Sequence, residues 1–295
     1  MKNILIAGGT GLIGKKLVAL LTENGHKVSV LSRSPKGPNE FLWDPKNTII
    51  DETILSSVDV LINLSGAGIA DKRWTKSRKI ELHDSRIKTN RFLFSLTNKM
   101  PNLSQFICSS GINCYGYEDS VIIHKESDPY GNDYLSQLVK QWEESANLFK
   151  TKCNVVTVRT AVVLDSEGGA LKKMIPAIKI GLGSPLGSGK QDVPWIHITD
   201  LIRVFEHAIE KNLDGSYNAI ADFTPNKAFN QKLAKILNKS FWAPNVPSFI
   251  LKLVLGEMSI ILLEGVKASH DKLSSTGFEF KFKTIDVALR DVLKS

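Results

Sequence analysis

The sequence predicts an α/β fold of the Rossmann type: a doubly wound parallel sheet with a smaller mixed α/β lobe C-terminal to it. Three observations predict it. Short, nearly continuous apolar runs recur through the first 165 or so residues, as expected of strands covered on both faces. Longer segments of helical periodicity separate several of them, so successive strands can lie parallel with a helix crossing between them. A glycine-rich turn, GGTGLIG at 8–14, joins the first run to the first helical segment.

The runs NILIAG (3–8), KVSVLS (27–32), VDVLINLSG (58–66), QFICSSG (105–111) and NVVTVRTAVVL (154–164) read as buried strands. LIGKKLVALLTENG (12–25) has the spacing of a helix and closes on a glycine. In KRWTKSRKIELHDSRIKTNR (72–91), Ile80 and Ile87, with Phe94 beyond, recur every seven residues. That spacing predicts a helix with these three on its buried stripe and its basic residues on a solvated face. After about residue 165 the pattern loosens into glycine- and proline-rich loops and shorter helices. The expected division is a dinucleotide-binding unit over 1–165, to which strands at about 195–225 return, and a smaller substrate lobe over 166–295. FILKLVLGEMSIILLEGV (249–266) is the most apolar later segment, but Lys252, Glu257 and Glu264 interrupt it. Two short packed helices are expected there rather than a membrane span.

Three cysteines, Cys108, Cys114 and Cys153, have no metal-ligand spacing and lie in or beside apolar runs. No metal is expected, and buried thiols of this kind suit a reducing cytoplasm. The apolar start of the chain is too short and too broken by glycine for a signal peptide. A net charge of +8 favours anionic partners, of which a phosphate-rich cofactor is the mildest. The basic segment at 72–91 lacks interleaved aromatics, so no nucleic-acid partner is expected.

The glycine turn carries the first chemistry. Gly8 and Gly9 permit a tight turn, Gly11 lets backbone approach a pyrophosphate, and Gly14 allows close packing of helix on strand. With Thr10, Leu12 and Ile13 they form the start of a helix whose free N–H groups face the phosphates. After the second strand, an NAD site places an acidic residue for the ribose 2′-hydroxyl. Here Ser32 and Arg33 stand instead, and a guanidinium attracts a 2′-phosphate, so NADP(H) is the expected cofactor. The later run GLGSPLGSGK (181–190) is not a nucleoside-triphosphate loop: Ser184 stands where its first glycine belongs, and Gln191 follows the lysine.

These features resemble the extended short-chain dehydrogenase/reductase superfamily, and within it the atypical NADP-binding epimerase family, whose members carry a C-terminal domain of unassigned function. The resemblance rests on GGTGLIG, SRSP (32–35), NLSGAGI (63–69), and RW followed by DSR (73–74, 84–86). It continues through GGALKKMIP (168–176), GLGSPLGSGKQ (181–191), WIHITDL (195–201), LGEM (255–258) and LLEG (262–265). It implies that Ser32 and Arg33 bind the 2′-phosphate, and that Leu64 and Ser65 pass beside the cofactor. It also implies that Glu81 and Arg86 line the cofactor and that Val162 lies near the nicotinamide. From the residues alone, Arg86 could equally be a surface residue of the basic helix.

The resemblance further implies a Ser or Thr that polarises the substrate oxygen, a Tyr that exchanges its proton, and a Lys four residues later. Ser110 lies in the serine region, one residue out of the commonest register, and Tyr134 in the tyrosine region. The lysine's place is taken by Leu138. Lys140 cannot substitute on a helix, because six residues turn it roughly 240° from Tyr134 whereas four return within about 40°. A lysine about 4 Å from a phenolate contributes roughly 4 kcal/mol at an effective dielectric near 20. Without it Tyr134 keeps its proton near the unperturbed value of about 10. Tyr134 can still donate a hydrogen bond, or it can be a packing residue.

In GSGKQDVPWIHITDL (187–201) the arginine that the superfamily uses to grip a diphosphate falls at Val193. A nucleotide-sugar substrate is therefore not expected. Gln191, Trp195 and His197 could shape a small-molecule pocket, although His197 alternates with Ile196 and Ile198 and could be a core histidine. Two functions stand: an NADP(H)-dependent oxidoreductase or epimerase on a small carbonyl or hydroxyl compound, and a cofactor-binding sensor or partner-binding module without turnover.

Overall fold

The computed structural model describes residues 1–117 and 122–294. In chain order its strands are β1 (Asn3–Ala7), β2 (Lys27–Ser32), β3 (Glu40–Asp44), β4 (Ile49–Ile50), β5 (Val60–Asn63) and β6 (Gln105–Gly111). There follow β7 (Ile123–His124), β8 (Asn154–Thr160), β9 (Val162–Leu164), β10 (Asp192–His197), β11 (Gly215–Ala219), β12 (Asp222–Pro225) and β13 (Lys267–Ala268). Eight of them form one sheet in the order β11-β8-β6-β5-β1-β2-β3-β4, parallel except for the antiparallel edge pair β3–β4. The strand order reverses at β1, so a crevice opens beyond the carboxyl ends of β1 and β5, where folds of this type bind ligands.

The apolar runs are continuous because both faces are covered. Ile4 and Ile6 of β1 pack into one core with Leu17 and Leu21 of α1 (Leu12–Glu23), while Leu5 and Ala7 point into a second core on the opposite face. The second core is covered by α2 (Lys76–His83), α3 (Thr89–Ser95) and α4 (Tyr134–Asn147), with Leu82, Leu93, Leu138 and Trp142 as contributors. Both cores hold fully buried strand residues, which is the burial that a parallel sheet requires.

The basic segment departs from expectation. α2 and α3 are joined by a π-helical turn over Asp84–Lys88. A π turn adds a residue to the helical repeat, so the seven-residue spacing no longer keeps to one stripe. Ile80 is 62% exposed, whereas Ile87 is buried and Phe94 packs edge-on against Phe149. The basic face is not wholly solvated either, since Arg78 and Arg86 turn inward and are buried.

The later strands divide differently from the expectation of a return at 195–225. Only β11 rejoins the large sheet, beside β8. The chain leaves that sheet after Thr160, and β9 pairs with β10, which pairs with β12, in a separate three-stranded sheet. The C-terminal part holds α5 (Gly169–Lys179), α6 (Ile198–Glu210), α7 (Asn226–Ile236), α8 (Ser248–Leu255), α9 (Ile260–Leu263), α10 (Asp271–Ser275) and α11 (Ile285–Lys294). The two short helices expected at 249–266 are α8 and α9; neither fully buries a residue, and Leu255, Ile260 and Ile261 are partly buried against the second core.

Candidate cofactor crevice and adjoining cavity

The turn after β1 is built by glycine backbone. Gly8 adopts φ +83°, and a Cβ there would lie 2.9 Å from the backbone of Leu64 and Ser65, so the turn lies directly against the loop after β5. A Cβ on Gly14 would collide with the carbonyl oxygen of Gly8. α1 starts without a side-chain cap and without an acidic residue in its first turn. Its first N–H groups and dipole end are therefore suited to an anion entering the crevice. Thr10 is exposed, and Leu12 and Ile13 are half-buried along the same turn.

At the end of β2, Ser32 is buried and its hydroxyl accepts from the Ser34 backbone N–H at 3.3 Å. Arg33 next to it is exposed. An exposed guanidinium directly after β2, with no acidic residue at that place, is chemistry that fits a 2′-phosphate.

The loop after β5 is held from below. Asn63 donates to Asn90 Oδ1 at 2.7 Å and accepts from the Ser65 N–H at 3.0 Å. Ser85 Oγ accepts from the Ala67 N–H at 3.0 Å, and Arg86 donates to the Ala67 carbonyl at 2.8 Å. Arg86 also bonds the Leu82 carbonyl and lies over the Trp142 ring, 4.9 Å from its centroid. Burial lowers its pKa to about 10, which leaves it charged at neutral pH. Arg78 bonds the Gly68 carbonyl, and the Trp74 indole N–H donates to Ile69 O at 2.9 Å. The π turn is what brings Ser85 and Arg86 to this loop. Arg78 and Trp74 were not singled out in the sequence; the RW and DSR pieces of the motif were the available signal. Glu81 is half-exposed, and its carboxylate accepts from Arg78 at 2.6 Å, which holds it below its ordinary value. Val162 lies in β9, paired with Trp195.

Tyr134 opens α4, whose N-cap is Asp133. Its ring meets Trp74 edge-on with centroids 5.1 Å apart, and Lys79 Nζ lies 4.4 Å from its centroid. Among the described residues its hydroxyl, although buried, has no hydrogen-bond partner. Burial raises its pKa, with the Arg86 charge acting in the other direction. Leu138, one turn on, is buried in the core. Beside Tyr134 lies a cavity of about 490 Å³, walled by Trp74 and Tyr134 on one side and by Lys252, Glu257, Ile260 and Leu263 on the other. Lys79 pairs with Glu257 at 2.5 Å, so α2 is tied to the C-terminal segment that lines this cavity.

Ser110 is not joined to Tyr134. Its hydroxyl donates to Glu143 Oε1 at 2.5 Å, inside a buried network in which Glu143 pairs with Arg159 at 2.8 Å and accepts from Tyr130 at 2.7 Å. The expectation that it faces substrate is corrected by this geometry: its side of β6 looks toward α4, where the Glu143 carboxylate accepts its hydrogen bond.

Of the residues considered for a pocket, Gln191 and Trp195 are turned into the structure instead, and His197 takes the core place that its alternation with Ile196 and Ile198 offered. Trp195 is fully buried, with its N–H on Thr224 Oγ1 at 3.2 Å. Gln191 is buried and bonds the Leu186 and Leu262 carbonyls at 3.0 and 2.7 Å. His197 is buried, stacks on Phe282 at 3.7 Å, caps α6 by accepting from the Thr199 N–H, and lies 3.2 Å from Asp291. Burial pushes its pKa down. None of the three is among the residues lining the cavity.

Residues 4–220 match the model of the NAD dependent epimerase/dehydratase family, and residues 246–292 match a domain of unknown function, DUF1731. The chain is 36% identical over 298 residues to the epimerase family protein SDR39U1 of Mus musculus, covering 99% of each. It is 34% identical over 309 residues to an epimerase family protein of Staphylococcus epidermidis, covering 100% of each. The crystal structure of human SDR39U1 with NADPH superposes with a TM-score of 0.91 at 33% identity, over 99% of both chains. A UDP-glucose 4-epimerase from Thermotoga maritima, solved with UDP-glucose, shares the fold over 99% of this chain at 19% identity and a TM-score of 0.79. The glycine turn, the sheet order and the C-terminal segment thus agree with one assignment, and the chain belongs to the NAD dependent epimerase/dehydratase family.

Proposed function

We propose that the protein binds NADP(H) and acts as an oxidoreductase or epimerase on a small carbonyl or hydroxyl compound held in the cavity beside Tyr134. The observation that carries this reading is that Tyr134 lines the cavity and that its hydroxyl, buried, is unpartnered among the described residues. A buried polar group without a partner costs about 1–3 kcal/mol, and a substrate oxygen would relieve that cost. The human relative solved with NADPH supports the cofactor.

In this reading the first turn of α1 binds the pyrophosphate and Arg33 the 2′-phosphate. NADP(H) supplies the hydride donor or acceptor when bound. Arg86 and Arg78 fix the loop that passes beneath it. Tyr134 orients the substrate oxygen through its O–H and passes it the proton as charge develops, then regains a proton from water in the cavity. With its pKa raised by burial, Tyr134 is a donor at neutral pH and a poor base. Val193 in place of a diphosphate-gripping arginine favours a substrate smaller than a nucleotide sugar. The free, buried thiols of Cys108 and Cys114 suit a reducing cytoplasm.

A single-turnover experiment following NADPH absorbance against a carbonyl library tests this. Oxidation of bound NADPH by at least one compound, lost in Tyr134→Phe, is expected. Silence across the library with NADPH bound would favour the second reading, a cofactor-binding sensor or partner-binding module. Two observations support that alternative: Leu138 fills the place of the assisting lysine, and Ser110 is hydrogen-bonded to Glu143.

A further inference from the structure

We infer that the C-terminal part docks on an anionic lipid surface through a face built from α5, the loop that follows it, and the segment from α7 through α8. The stretches 168–191 and 223–256 hold nine lysines and no Asp, Glu or Arg, in a chain whose net charge is +8; two of the nine, Lys173 and Lys232, pair with Asp71 and Asp286 from outside them. Much of the excess positive charge of the sequence therefore falls in these two stretches. The two stretches are one surface. Lys227 N–H donates to Gly189 O, Val246 N–H to Pro185 O and Gly187 N–H to Val246 O, each at 2.9 Å, and α5 packs on α7.

The same stretches carry large exposed apolar side chains. Phe249 and Leu253, one turn apart on α8, are 70% and 75% exposed, and Trp242 and Ile180 are each 72% exposed. Val254 on α8 and Leu182 in the loop after α5 are 58% and 59% exposed. Apolar residues scattered singly on a surface need no explanation, but a cluster of this kind marks an interaction site. Apolar side chains that can enter the headgroup region, ringed by lysines that stay at its level, are what interfacial binding to acidic lipids requires.

Charge decides between occupants. A second copy of the same face would set lysines against lysines across a two-fold contact. A nucleic-acid backbone would satisfy the lysines and leave Phe249, Leu253 and Val254 in water. An anionic bilayer satisfies both. The expectation of no membrane partner rested on the absence of a spanning segment, and no helix among the described residues is long and apolar enough to cross a bilayer. Surface docking needs none. Because Lys252 of α8 lines the cavity, the docked face would adjoin the cavity mouth. The inference does not depend on the reaction proposed above.

The test is cosedimentation of the full NADPH-loaded chain with vesicles of phosphatidylcholine, alone or mixed with phosphatidylserine, at low and high salt. Binding only to the mixed vesicles, weakened by salt, is expected. Lys179→Gln, Lys190→Gln and Lys239→Gln should each weaken it roughly fivefold, and together on the order of 100-fold. The Phe249→Ser/Leu253→Ser double variant should weaken it on the order of tenfold or more. Retained NADPH binding in both sets shows that the variants are folded. Three results would overturn the inference: no sedimentation of the wild-type chain with mixed vesicles; binding indifferent to the Phe249 and Leu253 changes; or a dimer in solution that Phe249→Ser/Leu253→Ser dissolves.

Discussion

Lys79 Nζ lies 4.4 Å from the centroid of the Tyr134 ring and at the same time pairs with Glu257 at 2.5 Å. One lysine thus ties the proposed proton donor to the C-terminal segment that forms the far wall of the cavity. The pair is partly exposed, Lys79 at 28% and Glu257 at 64%, so its contribution to global stability is small, about 0.2–1 kcal/mol. Lys79→Met should accordingly leave the melting temperature and NADPH affinity nearly unchanged. It should raise hydrogen exchange over 256–263, because the latch is local. Unchanged exchange there would show that the pair does not hold the wall.

Tyr134→Phe should separate stability from chemistry. Removing a buried hydroxyl that lacks a partner is neutral or stabilising by about 1 kcal/mol. Turnover, once a substrate is in hand, should fall about 10²–10⁴-fold, the usual effect of losing a positioned proton donor. A clear loss of stability would mean that the hydroxyl already has a partner, and the assignment would fail.

Ser110→Ala should show the reverse pattern. Its hydroxyl bonds a buried carboxylate, a type of contact that contributes about 1.5–3 kcal/mol. Thermal stability should drop while NADPH affinity and any rate stay within about twofold. Glu143→Gln, which leaves the buried Arg159 charge unbalanced, should cost more, roughly 3–5 kcal/mol. A large rate loss in a stably folded Ser110→Ala protein would restore Ser110 to the reaction.

His197 sets a pH dependence of stability. Burial lowers its folded pKa below the ordinary 6.5, with Asp291 opposing the shift. The unfolded chain therefore binds the proton more readily, and stability rises with pH through this window. The contribution is present above about pH 6.5 and is lost as pH falls through the lower folded value. Denaturant unfolding from pH 7.5 down to 5 should show this decline, and His197→Gln should flatten it. An equal slope in the variant would assign the decline to other groups.

Much of the architecture was legible because it follows from local rules. Ile4 and Ile6 against Leu5 and Ala7 gave a doubly covered strand, and GGTGLIG placed the crevice at the switch point. What escaped depended on geometry between distant residues. The seven-residue spacing of Ile80 and Ile87 was broken by the π turn at Asp84–Lys88, which no composition rule signals. Ser110 and Glu143 lie 33 positions apart, so the carboxylate that accepts the serine's hydrogen bond could not be seen from either motif. Trp195 and His197 belong to β10, and Gln191 immediately precedes it; that strand pairs with β9 outside the large sheet and became core, whereas the cavity wall came from the apolar segment around Glu257.

The most direct measurement is titration of the protein with NADPH and with NADH, for the wild-type chain and for Arg33→Ala. Loss of a charge-assisted contact of about 1.5–3 kcal/mol corresponds to a weakening of NADPH binding by roughly 10–150-fold. NADH affinity should stay unchanged, because it carries no 2′-phosphate for Arg33 to hold. Tight NADPH binding that falls selectively on removal of Arg33 is the expected result. No NADPH affinity in the wild-type chain, or the same affinity after the substitution, would contradict it.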